Sequence, residues 1–319
     1  MAESGPESRE ENWERGVIEK LARSALDEQR KSRNWGIFFK SLTFVYLFVI
    51  LFAAFGWLRG HETPLPGDHT ALVELSGVIS ADSQANADSI NQGLQEAFEN
   101  KGTRGVILRI NSPGGSPVQA GTINTEIRRL RDKHPQILLY AVIEDICASG
   151  GYYVAAAADQ IYVDKASIVG SIGVLMDGFG FTGTMEKLGV ERRLLTAGKN
   201  KGFLDPFSPM DAAQKDYARK MLAEIHQQFI DVVREGRGKR LKESPETFSG
   251  LMWTGQRSID LGLADALGSV DYVAREIIKA ENIVDFTPHE NLAERFAKRF
   301  GAAMGEALVR TTGSVAPIR

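Results

Sequence analysis

One cysteine, Cys147, stands in 319 residues, which excludes an internal disulfide and leaves no thiol pair for a zinc site. Histidine is nearly as scarce. His61, His69, His134, His226 and His289 are scattered, with no H-E-x-x-H and no acidic cluster around them, so neither a metal centre nor a cofactor is expected. A basic stripe with interleaved aromatics is missing too, and a net charge of −3 with pI near 6.0 gives no footing for nucleic acid. Apolar material is not lacking. At 43% hydrophobic residues the chain can bury one large domain or two small ones, which excludes a disordered chain.

Long apolar runs are limited to one, Leu42 to Leu58 (LTFVYLFVILFAAFGWL), in which Thr43 is the only clearly polar side chain. Spanning a bilayer takes about 20 residues, so the run suffices once its flanks contribute. Trp35 and Trp57 bracket it as interfacial anchors do. Much charged sequence precedes it, it exceeds a signal-peptide core, and no A-x-A site follows promptly, so an uncleaved anchor is expected rather than a leader or a buried helix. Arg30, Lys31, Arg33 and Lys40 lie before the span and only Arg59 lies just after it, which places the N-terminus in the cytoplasm and the rest outside, on a single-pass plasma (inner) membrane protein. The expected division is a cytoplasmic tail at 1–33, the transmembrane segment at 34–59, a linker at 60–70, a main domain at 71–285 and a tail at 286–319. In that tail Leu292, Phe296, Phe300 and Met304 form a narrow apolar stripe.

Past the linker, apolar runs and helical patterns alternate. TALVELSGVI, RGVILRIN, ILLYAVI and DQIYVD read as strands. NADSINQGLQEAFEN reads as a helix with Ile90, Leu94 and Phe98 on one face. After SPGGSP a second helix begins, with Ser116 as cap and Pro117 in its first turn, and SGGYYVAAAA is a third. GSIGVLM, a short helix at TMEKLG and VERRLLTAG continue the pattern, followed by a long amphipathic helix from Asp211 and a closing helix, strand and helix. This alternation predicts an α/β fold with a mostly parallel sheet covered by helices.

Sites in such sheets form where strands end and helices begin. Two of these turns are glycine-rich. NSPGG, Asn111 to Gly115, offers unobstructed backbone N–H groups suited to a developing oxyanion. CASGG places Ser149 as a candidate nucleophile before Gly150, whose N–H is a common second donor, although Cys147 departs from a G-x-S-x-G elbow. Each turn alone is more often just a tight loop. Together they describe a nucleophile beside an oxyanion hole, with no histidine nearby to act as base.

NSPGGSP, CASGGYYVAAAAD, GSIGV, AGKNK and PFSPM, in that order, resemble the signal peptide peptidase A family of serine peptidases, within the wider fold group of the caseinolytic protease (ClpP) and crotonase. The resemblance covers about Ala71 to Ala280. It implies a Ser149–Lys201 dyad, with Lys199 as the decoy in G-x-x-K, and an oxyanion hole from Gly114 or Gly115 with Gly150. A lysine base must be neutral, so the site has to desolvate it, and Phe203, Leu204, Pro206 and Phe207 are the expected means. Ser171, Ile172, Gly173 and Val174 would line one wall for extended apolar peptides, with signal-peptide remnants as the implied substrate class. Family likeness also implies a homo-oligomer with active sites shared between neighbouring subunits. Two rivals stand beside this reading: a crotonase-like acyl-CoA enzyme, and a non-catalytic membrane scaffold. A literal G-x-G-x-x-G, GFGFTG at 178–183, lacks the acid that a ribose would need after the next strand.

Overall fold

The computed structural model describes residues 67–288, residues 33–51, and positions 20, 23 and 28–31 ahead of them. Two units divide the chain, Met1–Pro64 and Leu65–Arg319. In the first, helix α1 (Glu28–Leu51) is 24 residues with none of its apolar window buried. At 1.5 Å per residue it is about 36 Å long, enough by length and composition to cross a hydrocarbon core of about 30 Å. Residues 52–59 of the expected span, and the apolar stripe at Leu292, Phe296, Phe300 and Met304, lie outside the described residues.

The second unit is built in the order β1 (His69–Ser76), α2 (Ala87–Glu99), β2 (Thr103–Ser112), α3 (Pro117–Lys133), β3 (Leu139–Ala148), α4 (Gly150–Ala155), β4 (Gln160–Val163), β5 (Ile168–Gly170), α5 (Thr182–Lys187), α6 (Ala212–Arg237), β6 (Met252–Thr254), α7 (Gly255–Asp260), β7 (Ala266–Leu267), α8 (Val270–Tyr272) and β8 (Ile283–Asp285). One eight-stranded sheet runs β6-β5-β3-β2-β1-β8, with β4 between β3 and β7. Every pairing is parallel except that of β6 on β5. Central strands of such a sheet are covered on both faces and so read as unbroken apolar runs. In β2, Val106, Leu108 and Ile110 enter the main core beneath α2, α3 and α4, while Ile107 between them enters a second core with Leu72, Tyr140, Val142 and Tyr162, closed by Val273 and Ala274 after α8.

Local chemistry sets the helix starts. Asn86 accepts from the Ser89 N–H at the head of α2, and Ser116 accepts from the Gln119 N–H at the head of α3, where Pro117 holds the first turn. Asp211 caps α6, whose last residue, Arg237, is fully buried and paired with Asp265. The expected strands in GSIGVLM and VERRLLTAG do not form: β5 ends at Gly170, and residues 190–197 are irregular and exposed. The edge of β5 is instead taken by β6, antiparallel, from much further along the chain.

Candidate active site

Strand register brings the candidate residues together. Ser112 stands opposite Cys147 in the β2–β3 pair, and Ala148 stands opposite Gly170 in the β3–β5 pair. Three neighbouring strands therefore run out at one level. The turns that follow them, at Pro113–Ser116, at Ser149 and at Ser171, adjoin.

Ser149 has φ 51° and ψ −120°, a conformation that L-residues avoid at a cost of about 1–3 kcal/mol. Two bonds hold it there: its N–H donates to the Gly170 carbonyl and its carbonyl accepts from Tyr153, each at 2.9 Å. The side chain makes no capping bond to α4 and stays available. Gly114 (φ 98°) packs so closely beneath it that a Cβ would lie 2.6 Å from the Gly150 nitrogen and 2.8 Å from the Ser149 Cβ. At Gly115 (φ 149°) a Cβ would meet the Ile79 oxygen at 2.1 Å.

These contacts separate the oxyanion candidates. The Gly114 N–H donates to Ser112 Oγ (3.1 Å), and Ser112 Oγ donates in turn to the Gly77 carbonyl (2.6 Å). The Gly114 carbonyl and the Ser116 N–H both bond Ile79, so the Gly115 N–H between them points the other way, toward Gly150. Gly115 and Gly150 both line the space over Ser149, whereas the Gly114 N–H is engaged by Ser112.

A cavity of about 590 Å³ opens over Ser149, Gly115 and Gly150. Ser171, Gly173 and Val174 line it, whereas the Ile172 side chain is fully buried in the core. Sequence reasoning missed the opposite wall, which is Ile225, Gln228 and Phe229 of α6. It also missed His226, whose Nε2 donates to the Ile172 carbonyl (3.1 Å) and ties α6 to the Ser171–Val174 segment. The helical pattern of α6 was legible, but nothing in it indicates which strand end the helix crosses.

Lys201 is exposed, on a turn closed by its N–H on the Gly198 carbonyl (3.1 Å), and neither it nor Lys199 lines the Ser149 cavity. The rings expected to desolvate it pack elsewhere: Phe203 against Tyr217, and Phe207 on Phe181. Leu204, three residues on, has φ 52°, and its N–H donates to Gln214 Oε1 (3.0 Å) near the start of α6. From Gln214 to His226 the helix climbs about 18 Å, which separates the Lys201 turn from the segment that borders Ser149 in one copy of the chain.

Burial pushes the Cys147 thiol well up, so it is a packed small side chain and no nucleophile. GFGFTG lies in an exposed loop, pinned by the Phe181 N–H on the Pro206 carbonyl (2.8 Å), and no strand runs into it. Among the described residues no group of three His, Cys, Asp or Glu side chains could hold a metal ion.

The model of peptidase family S49 matches residues 131–284. A sodium/proton antiporter NhaA of Brucella melitensis is 42% identical over 217 residues, which are 66% of this chain and 29% of that protein. The antiporter name stays with that protein, since this chain spans less than a third of its length. A protein of Methanocaldococcus jannaschii, named by inference as a protease, is 32% identical over 225 residues, 67% of this chain and 71% of that one. One from Enterococcus faecium, named by inference as a signal peptide peptidase, is 27% identical over 223 residues, 67% of this chain and 64% of its own.

Proposed function

This chain belongs to peptidase family S49, and from that premise we propose that it is a serine endopeptidase with Ser149 as its nucleophile. One observation carries the reading: a strained serine in a cavity that Gly115 and Gly150 also line. Ser149 Oγ attacks the scissile carbonyl, and the oxyanion sits between the N–H groups of Gly115 and Gly150. Lys201, as the neutral amine, takes the serine proton and returns it to the leaving amine. Water then hydrolyses the acyl-enzyme by the same route.

Lys201 is exposed in one copy and distant from Ser149, so the working dyad pairs Ser149 of one subunit with the lysine of its neighbour. Docking against that neighbour supplies the desolvation that a neutral amine requires. The irregular backbone from Ser171 to Val174 suits a peptide laid alongside in extended form, and Pro113, Val174, Leu175 and Phe229 favour apolar side chains. Remnants of signal peptides fit this chemistry, and they would be met by an enzyme that α1 anchors in the membrane. The basic residues before the apolar run support a second unit outside the cytoplasm.

The test uses the detergent-solubilised full chain and a quenched apolar peptide. Ser149→Ala and Lys201→Ala or Lys201→Arg should abolish turnover, and Lys199→Ala should leave most of it. Full turnover by Ser149→Ala would overturn the assignment. A reporter fused after Arg319 should be active only outside the cytoplasm, and the reverse result would invert the topology.

A further inference from the structure

The Ser149 cavity does not end at its own walls. A second, more open cavity of about 740 Å³ shares Pro117, Tyr153, Ile225 and Gln228 with it and runs on along α3. Pro117, Val118, Gly121, Thr122 and Thr125 recur on one side of that helix and form the floor. Gly121 keeps the floor open: the nearest heavy atom to a Cβ built there is the Tyr153 hydroxyl, 3.9 Å away. Asn91 lines the far side, and its buried Oδ1 has no hydrogen-bond partner.

We infer that this α3 groove is a substrate subsite, holding the stretch of peptide that leads away from the scissile bond. The inference rests on the peptidase reading and deepens it, and continuity with the Ser149 cavity identifies the occupant as the substrate itself. From Pro117 to Thr125 the helix rises about 12 Å, and an extended chain advances about 3.3 Å per residue, so the groove accommodates about four further residues. Its surface differs from that at the serine. Threonine, asparagine and glutamine side chains, with the carboxylate of Glu126, suit a backbone with small or polar residues. The enzyme therefore selects peptides in which an apolar stretch at Ser149 adjoins a more polar one, and it discriminates by length.

Two series of quenched peptides test this on the full chain, both built on one short apolar core, one lengthened at its N-terminal end and the other at its C-terminal end. One series should gain about tenfold in kcat/KM over roughly four added residues and then level off. Gly121→Trp, which fills the floor, should bring the long-to-short ratio close to one, and Val118→Trp, one turn earlier on the same floor, should lower it in the same direction. Gly121→Ala, helix-favouring and small, should keep the gain. Flat series in the wild type, or a gain that survives both Trp variants in folded protein, would overturn the subsite. If the short core is not cleaved, or is cleaved by Ser149→Ala, the peptidase reading fails instead. Fluorescence anisotropy of labelled peptides on Ser149→Ala protein then still reads the groove: affinity should rise with length, and that rise should vanish on adding Gly121→Trp, while length-independent binding refutes it.

Discussion

Ser149 is held in a backbone conformation that an L-residue does not favour, which suits the nucleophile proposed for this position. The strain of about 1–3 kcal/mol is relieved by glycine, whose greater freedom in the unfolded chain gives back about 0.5–1 kcal/mol. Ser149→Gly should therefore be inactive yet at least as stable as the parent, by up to about 2 kcal/mol, as read by thermal or denaturant unfolding. A clear loss of stability would mean that the serine hydroxyl supports the turn and that the strain argument is wrong. At this scale the sequence was informative, because a glycine pair before a helix and a serine flanked by small residues have few structural reasons to sit at the ends of adjacent strands. Gly115 could be separated from Gly114 only after the Ser112 hydroxyl was seen to occupy the Gly114 N–H. His226 carried no sequence signal, because a lone histidine on a long amphipathic helix can face anything.

Elements were legible where one physical cause dominates. The face formed by Ile90, Leu94 and Phe98 in α2 and the Ser116–Pro117 start of α3 are decided by spacing and capping alone. Residues 190–197 misled, because Val190, Leu194 and Leu195 alone do not make a strand, and the edge beside β5 is taken by β6 from about sixty residues further along. The junction of α6 with β7 was equally invisible. Arg237, fully buried, donates to both oxygens of Asp265 (2.9 and 2.7 Å), which also accepts from the Ile161 N–H (2.7 Å) at the start of β4. Burial alone would raise the Asp265 carboxyl, but the bonds and charge of Arg237 and the Ile161 N–H outweigh it and hold it below the usual carboxylate range. A depressed carboxylate stabilises the fold above its unfolded value, and that contribution is lost as pH falls through the lower folded value. Asp265→Ala should cost about 3–5 kcal/mol at neutral pH, because it leaves a guanidinium buried without its partner. Arg237→Met with Asp265→Leu should recover most of it, the remainder being the orphaned Ile161 N–H and Gly262 carbonyl and the lost Arg240 ion pair. Equal losses in single and double variants, measured by urea unfolding, would show that shape rather than charge holds α6 to β7.

Across the second unit, apolar exposure concentrates in the segment between β5 and α6. Leu175 and Phe179 are each 81% exposed, Leu188 72%, Leu195 96% and Met210 71%, and the same stretch carries Lys201. Soluble surfaces seldom leave so many large side chains together in water, so another body is needed to cover them. A second copy serves both needs, because it buries the segment and brings a lysine to a serine that has none of its own within the cavity. In the proposed assembly the contacts are head-to-tail, and a ring that closes sets the serine of each subunit against the lysine of the next. Ser149→Ala and Lys201→Ala proteins, each inactive alone, should therefore regain activity when mixed after dissociation and reassembled. Random mixing at equal amounts leaves about one contact in four with both residues intact, which sets the expected recovery at about a quarter of the parent activity. Mixed oligomers must be demonstrated by pulling down one tagged variant with the other. If they form and no activity returns, the dyad closes within a single chain, and the segment between β5 and α6 must fold back over its own Ser149 cavity to deliver Lys201.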